Sequence, residues 1–136
     1  MPDRSFDMAD PPNAAILIVD DEEDLREALA FDFKRKGYQV LTASGGIEAF
    51  RLITDRQVDL VITDLNMPEG SGAELLARIR ETLVALPVIM FISDSSPTGN
   101  SLVPKADVIM SKPFNMKELH RAVVTLLACA ATKKVR

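Results

Sequence analysis

DLVITDLNMPEGSG, residues 59–72, is the stretch on which the fold turns. It opens as a continuous apolar run closed by Asp64, the pattern of a strand covered by helices on both faces. The same pattern recurs in AAILIVD (14–20), PVIMFIS (87–93) and ADVIMSK (106–112), so four such strands are expected. YQVLTAS (38–44) alternates instead, follows the helix-terminating Gly37, and reads as an edge strand. Between these runs lie helical stretches at about 22–36, 46–57, 72–83 and 115–130, with apolar residues three and four apart. In the last helix the expected core stripe is Leu119, Val123, Leu126 and Ala130, with Asn115 as N-cap and Glu118 three residues on.

Strands that alternate with helices imply a doubly wound α/β domain, because parallel neighbours require crossover connections and those are right-handed. One connection breaks the rhythm. Residues 94–105 form a crossover near the minimum length and contain Pro97, Gly99, Asn100 and Pro104, so the fourth helix is expected to be short or absent.

The 136 residues suit one domain, and 47% hydrophobic with 26% charged residues is the balance of a globular protein. Residues 1–13, with three prolines and three aspartates, read as a disordered tail, and 132–136 as a basic C-terminal tail, leaving 14–131 as the domain. A net charge of −4 repels polyanions, which argues against nucleic-acid binding. No apolar run approaches the roughly 18 residues that span a bilayer, and a signal peptide is not seen, so a cytoplasmic protein without membrane contact is expected. The single cysteine, Cys129, excludes an internal disulfide and reads as an ordinary helix residue.

Ligand sites in such sheets form at the carboxyl ends of the strands, near the point where strand order reverses. The first strand ends in Asp20-Asp21, the third in Asp64, the fourth in Ser93 and the fifth in Lys112. Three carboxylates at close range repel one another unless something compensates, and an oxygen-only cluster suits a hard cation such as Mg²⁺. With the cation bound, one carboxylate can act as nucleophile toward a phosphoryl group while Lys112 offsets charge on the transferring oxygens. Taken singly, each residue has a plainer reading: Asp20 or Asp21 as a helix cap, Asp64 or Ser93 as a turn residue. His120, the only histidine, reads as a half-exposed helix residue outside any site, and Lys34, Arg35 and Lys36 as cations suited to a helix C-terminus.

ILIVDDEEDLR (16–26), VITDLNMPEGSG (61–72) and SKPF (111–114) together resemble the receiver domain of two-component response regulators. The likeness covers about residues 14–131. It implies a flavodoxin-like (CheY-like) fold with strand order 2-1-3-4-5, and a Mg²⁺-dependent switch phosphorylated by a histidine kinase or histidine phosphotransfer protein. Carried over, it makes Asp64 the phosphoacceptor and Asp21 a direct Mg²⁺ ligand. Asp20 would act through a water, and the Asn66 backbone carbonyl would be a further ligand. Lys112 would contact the phosphoryl group, Pro113 would follow a cis bond, and Ser93 would be the switch hydroxyl. Met67, Pro68 and Gly72 match the turn after the acceptor strand. Such a chain is no general enzyme, and its output goes to an unidentified downstream protein.

Two departures bear on output: Ile109 stands where the family usually has an aromatic gate, and the short 94–105 segment stands where many receivers have a fourth helix for partner contact. Asp94 stands where a small residue is usual, and its charge is expected to weaken phosphate retention or modify metal binding. The spacing from Pro87 is also one residue long, so Ile92 competes with Ser93 for the switch position, and Ser93 is preferred because only it has a hydroxyl. A receiver-shaped interaction module that works without phosphorylation is the main alternative, favoured by Ile109 and the short fourth crossover and opposed by the complete acidic cluster. An aspartate-nucleophile phosphatase lacks its DxD arrangement here, since the motif is Asp20-Asp21-Glu22. A flavin module lacks a phosphate-cradling loop after the first strand.

Overall fold

The computed structural model describes residues 14–67, 71–83, 85–93 and 106–135. The N-terminal tail, Pro68, and the fourth crossover with Asp94 lie outside the described residues. Five parallel strands, β1 (Ala15–Val19), β2 (Gln39–Ala43), β3 (Leu60–Asp64), β4 (Val88–Ser93) and β5 (Val108–Lys112), stand in the order β2-β1-β3-β4-β5. Four helices accompany them among the described residues: α1 (Glu23–Arg35), α2 (Gly46–Asp55), α3 (Gly72–Thr82) and α4 (Met116–Val135). The order reverses between β1 and β3, so the ends of these two strands flank the crevice in which such folds hold ligands. YQVLTAS does form an edge strand.

Strand alternation divides the core into two layers. Ile16, Ile18, Leu60, Ile62, Ile89 and Phe91 face α1 and α4, where they meet Leu29, Phe33, Leu119, Val123 and Leu127. Leu17, Val19, Val61, Val88, Met90 and Ile92 face α2 and α3, against Ala49, Ile53, Leu75, Leu76 and Ile79. Burying each large apolar side chain stabilises by about 1.5–3 kcal/mol, which is why both faces of the central strands are apolar.

Several local devices fix the elements. Gly37, at φ 102°, ends α1; its N–H reaches the Lys34 carbonyl at 3.0 Å and the Tyr38 N–H the Phe33 carbonyl at 3.2 Å, a Schellman pair. Asn115 caps α4, accepting from the N–H groups of Lys117 and Glu118 at 2.8 and 3.2 Å. Ser71 and Glu74 cap α3 reciprocally in a capping box. At the other end of the sheet, Asp59 accepts from the Ala15 N–H and Asp107 from the Val88 N–H, each at 2.8 Å, so two aspartates tie the starts of neighbouring strands.

Two expectations need correction. The buried stripe of α4 is Leu119, Val123 and Leu127, not Leu126 and Ala130, which are only half-buried. The helix lays an i, i+4 row on the sheet centre, and Leu126 is turned toward the groove beside the edge strand β5. The helix also continues to Val135, through part of the expected basic tail.

Candidate functional site

Three strand ends converge. Asp20, just past β1, is buried at 1% exposure, Asp64 closes β3 half-buried, and Asp21 is exposed beside them. One oxygen from each can be chosen so that all three lie within 4.8 Å of one another. Lys112, at the end of β5, reaches in from the far side: its Nζ is 3.2 Å from Asp64 Oδ2, 3.6 Å from Asp20 Oδ2 and 3.8 Å from Glu22 Oε1. The peptide bond from Lys112 to Pro113 is cis, as the resemblance implies.

Asp20 is held from several directions. Its N–H donates to the Ala43 carbonyl at 3.1 Å, its Oδ1 accepts from the Glu22 N–H at 2.9 Å, and its carbonyl accepts from Arg26 Nη1 at 2.7 Å. Asp20 Oδ2 alone is buried without a hydrogen-bond partner among the described residues. Asp64 is held less tightly, its Oδ1 accepting from the Leu65 N–H at 3.0 Å. Gly72 makes the close packing behind it possible. A Cβ there would meet the Asp64 carbonyl oxygen at 2.2 Å and Leu65 Cα at 2.9 Å, so only glycine lets α3 start against the end of β3.

The electrostatics follow from burial. Desolvation raises the Asp20 carboxyl above its ordinary range, and the Glu22 N–H and Lys112 offset this only in part. Desolvation likewise raises Asp64, against the pull of Lys112 and with the push of Asp20. Burial pushes Lys112 downward, but the charges of Asp64 and Asp20 outweigh it and leave the ammonium raised. The cluster is short of positive charge. A buried oxygen without a hydrogen-bond partner, two carboxyls raised by burial and an all-oxygen donor set fit a hard divalent cation.

The other expected residues fall as follows. Asn66 is exposed in the turn after β3, with Met67 buried beside it. Ser93 ends β4 in register with Lys112. Ile92, near the end of β4, is buried in the α2/α3 layer, and Ile109, opposite Met90 near the start of β5, packs against that same layer. His120 lies away from the cluster, half-buried between α1 and α4, with Nε2 2.5 Å from Asp32 Oδ2. Cys129 is exposed. Reading the strand ends overlooked Glu22 as a neighbour of Lys112 and Arg26 as the donor to Asp20. The available signal for Arg26 was a cation in the first turns of a helix that starts just after the acidic pair.

Fold and site together define a flavodoxin-like domain with an acidic, lysine-flanked cleft at the switch point of its sheet. Comparison with known proteins gives the family: the model for the response regulator receiver domain matches residues 16–124. The chain belongs to that family, the receivers of two-component systems. It is 40% identical over 105 residues to the transcriptional regulatory protein KdpE of Mycobacterium tuberculosis, covering 76% of this chain and 46% of KdpE. It is 32% identical over 117 residues to the alkaline phosphatase synthesis transcriptional regulatory protein PhoP of Bacillus subtilis, covering 85% of this chain and 49% of PhoP. The chain thus spans about half the length of these curated relatives. Among solved structures, the response regulator TrrA of Thermotoga maritima in complex with Mg²⁺-BeF superposes with a TM-score of 0.77 at 34% identity, covering 83% of this chain and 98% of TrrA.

Proposed function

We propose that this receiver is a Mg²⁺-dependent phosphoryl acceptor, which takes the group onto Asp64 from the phosphohistidine of a histidine kinase or phosphotransfer protein and so switches a protein contact. The observation that carries this reading is Asp20 Oδ2, a buried carboxylate oxygen without a hydrogen-bond partner, set among acidic groups whose ligand atoms lie within 4.8 Å. That the Thermotoga neighbour was solved in complex with Mg²⁺-BeF supports a cation in a fold of this kind. Asp20, Asp21 and Asp64 would hold the ion, with the Asn66 carbonyl as a further ligand. Bound Mg²⁺ supplies charge neutralisation on the transferring oxygens.

The chain's own groups do the rest. A carboxylate oxygen of Asp64 attacks phosphorus, the P–N bond to the donor imidazole breaks with its electron pair going to the ring nitrogen, and an acyl phosphate forms. Lys112, already 3.2 Å from Asp64 Oδ2, holds its positive charge against the incoming oxygens. Ser93, at the end of the neighbouring strand, is the proposed switch hydroxyl. Attack of water on phosphorus later releases phosphate and restores the carboxylate, so the domain turns over nothing but its own acyl phosphate. A donor of this class would meet the chain in the cytoplasm, and its net charge of −4 favours protein over nucleic acid as this segment's contact.

Intact-mass spectrometry after incubation with Mg²⁺ and a small phosphodonor tests the reading. One phosphoryl adduct is expected, lost in Asp64→Asn and lost with a chelator. Ile109, packed in the α2/α3 layer where the family usually has an aromatic gate, favours a second reading. Mg²⁺ binding without an adduct would turn the assignment to a phosphorylation-independent interaction module.

A further inference from the structure

We propose that Arg26 is a positioning residue for the acidic pair, setting the peptide that joins Asp20 to Asp21 so that both carboxylates present to one cation. The inference rests on the metal reading above. Its own observation is the bond from Arg26 Nη1 to the Asp20 carbonyl oxygen at 2.7 Å. That carbonyl lies where β1 has ended and α1 has not begun, so neither sheet nor helix supplies it with a donor. Its orientation sets the turn carrying Asp21, the exposed member of the pair, for which no other tether is seen among the described residues. With the N–H held by Ala43, Oδ1 held by Glu22 and the carbonyl held by Arg26, Asp20 is left with one atom without a hydrogen bond, Oδ2, with only the Lys112 ammonium nearby at 3.6 Å.

Arg26 acts here by geometry and not by its charge. The cation whose field lowers the Asp20 carboxyl is Lys112. A guanidinium near an acidic cluster opposes a second cation, so removing its charge alone would tighten Mg²⁺ binding. Loss of a positioning contact has the opposite sign, and outer-shell partners of metal ligands typically change affinity about 10–100-fold when removed.

Arg26→Met keeps the aliphatic stem and removes the donor. We expect the Mg²⁺ dissociation constant, measured by calorimetry on the whole chain, to rise about tenfold. Arg26→Lys, which restores a donor, is expected to recover most of that loss. Arg80→Met serves as the control. Arg80 donates to the Leu86 carbonyl at 2.6 Å and to Asp107 at 2.8 Å, at the opposite end of the sheet. Its loss should lower the melting temperature in chelator at least as much while leaving Mg²⁺ affinity unchanged. Should Arg26→Met fail to fold, Arg26→Gln takes its place in the comparison. Unchanged or tighter Mg²⁺ binding in the Arg26 variants overturns the proposal while leaving the metal site intact. A natural chain that binds no Mg²⁺ sinks the metal reading and the proposal together.

Discussion

Asp20 sits in the protein at a cost. Its carboxyl is raised by burial, which means that the folded chain holds its proton more firmly than the unfolded chain does. The contribution of Asp20 to stability is therefore full below the unfolded carboxylate pKa and is lost as pH rises through the raised folded value. At neutral pH the ionised group is a burden. In chelator at pH 7, Asp20→Asn should raise the melting temperature by a few degrees while greatly weakening Mg²⁺ binding. The gain should vanish in acid, where the natural carboxyl is itself neutral. Thermal unfolding at both pH values checks this, and a destabilised amide variant at pH 7 would show that Asp20 is retained for the fold. Strand-end reading located Asp20, Asp64 and Lys112 because each closes an apolar run. It did not show that one Asp20 oxygen would be left open, since that depends on three partners distant in the chain or across a turn.

Among the elements, the junction of β3 and α3 is the most constrained. The Gly72 N–H donates to the Leu65 carbonyl at 2.8 Å, and the space for a side chain is taken by backbone atoms of Asp64 and Leu65. Backbone cannot turn aside as a flexible side chain can. Gly72→Ala should therefore cost at least the ~1–3 kcal/mol typical of overpacking and shift Asp64 out of place, lowering both the melting temperature and phosphoryl uptake. A variant with natural stability and uptake would mean that α3 slides freely. The elements themselves were legible: continuous apolar runs marked four strands, alternation after Gly37 marked the edge strand, and three- and four-residue spacing marked the helices. The face of α4 was misjudged by one position. Leu126 and Leu127 are both leucine, so periodicity cannot say which of them meets the sheet centre, a choice made by how the helix crosses β3 and β5. That Ile92 and Ile109 face the same α2/α3 layer, with Ile109 opposite Met90, likewise follows from strand parity and register.

On the scale of the whole molecule, topology gathers charge that the sequence keeps far apart. Residues 20, 64 and 112 become neighbours because β1, β3 and β5 run parallel and all end on one side, so a single divalent ion held there would be coupled to three strands of the sheet at once. The unfolded chain has no such cluster, and binding to the folded state alone raises stability by about 2.7 kcal/mol at a hundredfold excess over the dissociation constant. For a domain of this size that corresponds to a rise in melting temperature of several degrees. Mg²⁺ must compete with protons for the same oxygens, and both Asp20 and Asp64 are raised by burial. The Mg²⁺-induced rise should accordingly fade at a pH above the ordinary carboxylate range, earlier on acidification than an exposed acidic cluster would show. Melting curves with and without Mg²⁺ from pH 7.5 downward give the comparison. An undiminished Mg²⁺ effect down to the ordinary carboxylate range would mean that the ion binds exposed groups such as Asp21 and Glu22 and not the buried pair at the centre of the sheet.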